Sequence, residues 1–163
     1  MTNDIFLSPH FKLSEFVVSE TASRHGIDNT PPEEAVENLR RLCQGTLEPL
    51  REALQLPVVI TSGFRTKALN DRLAHSSERS QHMQGCAADF YVSCAGREML
   101  IKAFHLIITS HEIDYDQLIL YPNFIHVSYV SKERNRHNIL KARSNGKLGY
   151  GKLSYANAIL LNY

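Results

Sequence analysis

The chain of 163 residues lacks most of the features that mark a specialised class at sight. No sign of charge dominates: 18 Lys and Arg stand against 17 Asp and Glu, a net +1. That balance argues against a dedicated nucleic-acid binder, which carries a strongly basic domain. No apolar run reaches membrane-spanning length, since Ile107-Ile108 and their neighbours are interrupted by His105 and Ser110. Cysteines are few and odd in number: Cys43, Cys86 and Cys94 read as reduced thiols, not as a disulfide framework. The start, Met1 to Leu7, lacks a basic region followed by a long apolar core. It is therefore not read as a secretory signal, and synthesis in a reducing cytoplasm is expected. Low-complexity runs and internal repeats are absent too. What remains is the composition of one ordinary globular domain spanning 1–163, long enough to bury a core.

Charge is nevertheless uneven. From Ser131 onward there are seven Lys or Arg against one Glu, so residues 1–130 are net acidic. A basic C-terminal extension of this kind meets an anionic polymer or is simply a solvated face.

In chain order, a short helix is expected from Leu13 to Ser23. Thr30-Pro31-Pro32-Glu33 reads as a helix start, with Thr30 as N-cap and Glu33 closing a capping box. Val36, Leu39, Leu42, Cys43, Leu47, Leu50 and Leu54 follow at helical spacing. Pro49 predicts a kink or a division of that helix near Gly45. Pro57 to Thr61 predicts a strand, followed by a helix capped by Thr66 and running to about Ala74. Ala87 to Val92 predicts a second strand and Gly96 to His111 a helix. Asp116–Tyr121 and Phe124–Val130 predict a hairpin turning at Pro122-Asn123. A short helix is expected at Asn135–Arg143, and the glycine- and tyrosine-rich end (Gly146, Gly149, Gly151) is expected to pack on the domain through Ala158 to Leu161. Helices lead and strands follow without βα alternation, which predicts an α+β fold with a mainly antiparallel sheet and helices packed on it.

The chemistry concentrates in Ser80-Gln81-His82-Met83-Gln84-Gly85-Cys86-Ala87-Ala88-Asp89 and in Phe124-Ile125-His126-Val127-Ser128. Two imidazoles and one carboxylate are a known three-ligand set for a zinc that keeps one position open. A carboxylate inside an apolar strand needs a charged partner or a metal, because burying it alone is costly. Alternation places His126 on one face of its strand with Phe124 and Ser128, and Asp89 on one face with Ala87 and Tyr91, away from Cys86. If the two strands are neighbours, His82, Asp89 and His126 converge. The other histidines (His10, His25, His75, His105, His111 and His137) lack ligand-like spacing and read as surface or packing residues. Tyr121 and Tyr129 read as groove or core aromatics.

Ser80, His82, Gly85, Ala87 and Asp89 in this spacing resemble the Ser-x-His-x-x-Gly-x-Ala-x-Asp signature of zinc D-alanyl-D-alanine carboxypeptidases. That superfamily includes phage L-alanyl-D-glutamate endopeptidases and the hedgehog signalling domain. Ser62-Gly63-Phe64-Arg65 is similar to the family's Ser-Gly-Tyr/Phe-Arg element, and Phe124-Ile125-His126 to its closing aromatic-x-His. The resemblance covers roughly residues 11–130 and is greatest with the small phage and prophage branch. It implies a hedgehog/D-Ala-D-Ala peptidase-like fold and a Zn2+ held by His82, Asp89 and His126. It also implies Arg65 as a cation for the transition-state oxyanion, Ser80 as a hydrogen-bond donor to substrate or a group that orients a metal ligand, Gln81 as a substrate contact, and peptidoglycan peptides as substrates. A monomer is expected, with neither nucleic acid nor membrane as partner. Reaching a cell wall would then take a phage-type lysis or another export route.

One position departs from the pattern. The acidic general base of the family commonly stands three residues before the last histidine, where this chain has Asn123. An amide cannot take up the proton of an activated water. Asp116 is the nearest acidic candidate for a base and Asp114 the second. The alternative is a zinc-containing but catalytically silent domain that binds cell-wall peptide or a protein partner.

Overall fold

A computed structural model describes residues 4–74, 76–93, 96–142 and 150–161. His75, Cys94, Gly146 and Gly149 lie outside the described residues. The short strands β1 (Phe6–Ser8) and β2 (Phe11–Lys12) pair with each other and precede α1 (Leu13–Val17) and α2 (Glu20–His25). The single helix expected at 13–23 is thus two. Val18 is extended, and the Ser19 hydroxyl accepts from Ala22 N at 3.2 Å, so a fresh N-cap interrupts the first helix.

The next helix, α3 (Glu33–Leu42), starts two residues later than expected, with Pro32 and not Thr30 at its N-cap. Thr30 is already committed, because its N–H and hydroxyl both donate to Asp28 Oδ1, at 2.9 and 2.6 Å. The expected break near Gly45 is present as a π-helical turn, Cys43–Leu47, leading into α4 (Glu48–Leu54). Pro49 has no N–H to offer the Gly45 carbonyl, which instead accepts from Asp114 N at 3.0 Å.

Strand β3 (Val58–Ser62) and the one-turn helix α5 (Lys67–Asn70) follow, the latter much shorter than the expected run to Ala74. Thr66 caps it, accepting from Leu69 N at 3.4 Å. After a 3₁₀ turn at Gln81–Gln84 come β4 (Ala87–Val92), α6 (Gly96–Thr109), β5 (Gln117–Leu120) and β6 (Ile125–Ser128). The hairpin closes as expected, with Tyr121 N donating to Phe124 O at 3.0 Å. Asn138–Ala142, expected as a helix, is a strand, β7, and it pairs in parallel with β5. Local helix propensity yields there because β5 would otherwise leave a row of unpaired backbone groups. The strand β8 (Tyr150–Lys152) and helix α7 (Tyr155–Ile159) end the described chain, with Ala158 buried but Ile159 and Leu160 exposed.

The result is α+β. One six-stranded mixed sheet has the order β3-β4-β6-β5-β7-β8, all pairs antiparallel except β5 with β7. Strand alternation divides its centre into two faces. Phe90, Leu118, Leu120, Ile125 and Val127 point into the core with Leu42, Leu47, Leu50, Phe104 and Ile107 from the helices. Asp89, Ile119 and His126 point the other way and line a cleft. The core face rests on helices; the opposite face carries the chemistry.

Candidate metal centre

Strands β4 and β6 are adjacent and antiparallel, and Asp89 stands directly opposite His126 in register. Asp89 Oδ1 lies 2.8 Å from His126 Nδ1 and 3.4 Å from His82 Nε2, and the two imidazole nitrogens are 3.3 Å apart. Tetrahedral zinc with bonds of about 2.0 Å separates its ligand atoms by roughly 3.3 Å. Two of the three spacings therefore already suit the ion, and only the Asp89–His126 pair, at hydrogen-bond distance, has to open by a few tenths of an ångström. Among the described residues these are the side chains grouped for metal binding.

His82 is brought to this point by its backbone and by its far ring nitrogen. Gly85 ends the 3₁₀ turn in the left-handed region, φ 71°, and an added Cβ there would lie 2.4 Å from the Ala35 carbonyl oxygen. Only glycine meets both demands. On the other side, His82 Nδ1 is 2.7 Å from the Gly63 carbonyl, an oxygen that can only accept, so Nδ1 carries the proton and Nε2 presents its lone pair to the cleft. Arg65 N donates to His82 O at 3.1 Å. Gly63 packs so closely on Phe16 that an added Cβ would lie 2.5 Å from its carbonyl oxygen. The Ser62–Arg65 stretch thus braces the histidine as well as supplying a cation. The brace by the Gly63 carbonyl was not legible in the sequence, because a backbone oxygen leaves no mark on residue identity.

Electrostatics favour the metal-binding protonation states. Burial pushes the His82 imidazolium toward its neutral form, more strongly than Asp89 pulls it back. Burial pushes the Asp89 carboxyl up, but the hydrogen bonds and charges of His126 and His82 outweigh it and hold it well below the usual carboxylate range. Arg65 is largely buried; its Nη2 lies 3.4 Å from Asp89 Oδ2 and donates to Ser62 Oγ at 2.9 Å. Its guanidinium is therefore oriented at the edge of the triad. Burial lowers its pKa, opposed by Asp89.

The triad opens into a cleft of about 840 Å³, which Ser80, Gln81 and Asp116 also line. Gln81 and Asp116 are engaged with each other: Gln81 Nε2 donates to Asp116 Oδ2 at 2.9 Å, and Arg136 Nη2 donates to the same oxygen at 2.5 Å. Burial raises the Asp116 carboxyl, but Arg136 and Gln81 overcome it and hold it down to about 2. Asp114 is paired with Asn135 and His137. Asn123 does not face the triad; it lines a separate hollow with Tyr91 and Arg97 beyond the hairpin turn. Arg134 and Arg136, from the segment read as a basic extension, form part of the cleft wall, which sequence spacing gave no means of placing.

Tyr121 stacks on Phe124, with ring centroids 4.2 Å apart, and lines the cleft, whereas Tyr129 packs over Gly45. Cys86 is buried and outside the ligand set. Of the histidines set aside, His10 pairs with Glu48, His105 approaches the Ala158 carbonyl, and His137 packs edge-on against Tyr115. No helix among the described residues is long and apolar enough to cross a membrane.

Comparison with known proteins bears on the same span. Curated proteins give no match. The sequence model of the family described as Peptidase M15 matches residues 9–128, which take in the Ser62–Arg65 stretch and all three metal-ligand candidates.

Proposed function

This chain belongs to the peptidase M15 family, and we propose that it is a zinc metallopeptidase hydrolysing peptide bonds in bacterial peptidoglycan, as a carboxypeptidase or an endolysin-type endopeptidase. The observation that carries the reading is the convergence of His82 Nε2, Asp89 Oδ1 and His126 Nδ1 at near-tetrahedral ligand spacing on the floor of a cleft. These three residues would hold the ion. When bound, zinc supplies Lewis acidity toward a carbonyl and makes water a stronger acid.

The remaining chemistry belongs to the chain. Arg65, anchored by Ser62, places a cation beside the triad, where it stabilises negative charge developing on a carbonyl oxygen. Ser80 offers a hydroxyl on the cleft wall to a substrate amide. Arg79 and Arg134 add positive charge to that wall, while the carboxylates lining it are already paired, Asp89 with His126 and Arg65 and Asp116 with Arg136. A cationic wall of this kind suits peptides that carry free carboxylates, as cell-wall stem peptides do.

A second reading is a zinc-containing but catalytically silent domain that binds cell-wall peptide. It is favoured by one observation: both carboxylates lining the cleft have their oxygens occupied, and Asn123 faces elsewhere. One experiment separates the two readings. Metal content of the purified chain is measured, followed by incubation with peptidoglycan and mass analysis of released peptides. About one zinc per chain with defined cleavage products supports the enzyme and names the bond. Zinc with no cleavage on any wall type supports the binding domain. Failure to take up zinc after reconstitution overturns both.

A further inference from the structure

We propose that Arg136 is a positioning residue for the metal centre, tying together, through the Asp116 carboxylate, the two segments that carry His82 and His126. The inference rests on the metal reading above but not on peptidase activity.

Asp116 is 1% exposed, and its carboxylate accepts from three separate segments. Gln81, the residue before His82, donates Nε2–H to Oδ2 at 2.9 Å. Ser128, two positions after His126 and on the same face of β6, donates its hydroxyl to Oδ2 at 3.2 Å. Arg136 donates its backbone N–H to Oδ1 at 3.0 Å, Nε to Oδ1 at 2.8 Å and Nη2 to Oδ2 at 2.5 Å. It also reaches Gln81 Oε1 at 3.5 Å. The guanidinium spans both carboxylate oxygens, a geometry that lysine, as a point charge, does not reproduce.

A carboxylate this buried is tolerated only while its charge is paired and its lone pairs are filled. Without the guanidinium, Asp116 keeps only Gln81, Ser128 and one backbone N–H, and it must turn toward water or take up a proton. Either change loosens the Gln81 side chain, and with it the 3₁₀ turn that presents His82. The ligand atoms need registry within about half an ångström to close on a metal. A small relaxation at Gln81 therefore reaches the metal through the adjacent residue.

Arg136 touches none of the three ligands directly, and it lies beyond the residues that match the family, 9–128. Arg136 reaches the site through the way the sheet closes: β7 pairs in parallel with β5, and Asn138 N donates to the Asp116 carbonyl at 2.9 Å. That pairing delivers Arg136 to the cleft.

The test is Arg136→Gln in the full chain. Zinc affinity is measured by competition with a chelating dye, and ligand geometry by the visible spectrum of the Co(II) form. Zinc affinity is expected to fall about 10- to 100-fold, the range for removing a group that orients a metal ligand. The Co(II) bands should shift while circular dichroism and cooperative unfolding remain. A folded variant with unaltered zinc affinity and an unaltered Co(II) spectrum would overturn the inference, leaving an ordinary ion pair. If Arg136→Gln does not fold, Gln81→Leu decides, because it cuts the link to His82 and leaves the Asp116–Arg136 pair in place. The same affinity loss is then expected, and unchanged affinity overturns the proposal. Lack of zinc binding by the unsubstituted chain is a different result: it removes the metal reading itself, and this inference with it.

Discussion

Asp89 and His126 are register partners across the β4–β6 pair, and their side chains meet at 2.8 Å on the face opposite the core. Thirty-seven positions separate them in sequence, and one backbone ladder makes them neighbours. The site therefore depends on strand register: a slip of one residue would turn His126 into the core and bring Ile125 or Val127 to face Asp89 and His82.

Removing that partner should remove the metal. His126→Ala is expected to abolish stoichiometric zinc binding, read by elemental analysis after dialysis. The fold should survive, because the side chain points into the cleft and not into the apolar core. A variant that keeps a full equivalent of zinc would dismiss the triad.

Two glycines with similar backbone conformation should respond differently to alanine. Gly26 ends α2 at φ 60°, and a Cβ there would meet nothing within 4 Å, so Gly26→Ala pays only for the left-handed backbone, about 1 kcal/mol. Gly85→Ala adds a Cβ at 2.4 Å from the Ala35 carbonyl oxygen, so α3 and the His82 turn must part. Its loss of stability is expected to exceed that of Gly26→Ala by at least about 1–2 kcal/mol, with zinc affinity falling too. Urea unfolding of the two variants side by side checks this, and equal losses would contradict the close packing.

Asp116 should make stability depend on pH in acid. Its carboxyl lies at about 2 when folded against a reference value of 3.8, so the folded state binds its proton less readily than the unfolded one. The stabilisation is fully present above 3.8 and is lost as pH falls toward 2. Its size is on the order of 2 kcal/mol. In the metal-free protein, Asp116→Asn should be less stable at neutral pH and show a flatter decline between pH 4 and 2. Parallel pH profiles for the two proteins would show that the ion pair contributes nothing.

Arg65 should matter to turnover and not to metal content. Once an assay substrate is identified, Arg65→Met is expected to cut turnover by about 10²–10³, the cost of one oxyanion-stabilising donor. Zinc should remain near one equivalent, because Arg65 contacts Asp89 Oδ2 and not Oδ1, the atom facing the imidazoles. Loss of zinc in this variant would instead mark Arg65 as a support for Asp89.

What lies within one short stretch was determined by sequence. The kink at Pro49, the strand Ala87–Val92, the hairpin and the outward alternation of Asp89 and His126 follow from local rules: a missing N–H, β-branched and aromatic runs, and a period of two. The candidate ligand set could be named because residue types and spacing carry it, and the structure groups the three side chains; that Gly85 must be glycine for its contact with the Ala35 carbonyl is visible only in the tertiary structure. Tertiary structure decided what depends on partners far along the chain. Asn138–Ala142 has no strand pattern of its own and became one because β5 presented an unpaired edge. That pairing moved Arg136 from an apparent basic tail into the cleft and bound Asp116 to it. Asn123, three residues before His126 in sequence, ended up in another hollow because the hairpin turn carries it past the triad. Local sequence encodes which groups a strand or turn can present; only the closed sheet, which satisfies backbone edges and buried charges across the whole chain, determines which of them meet.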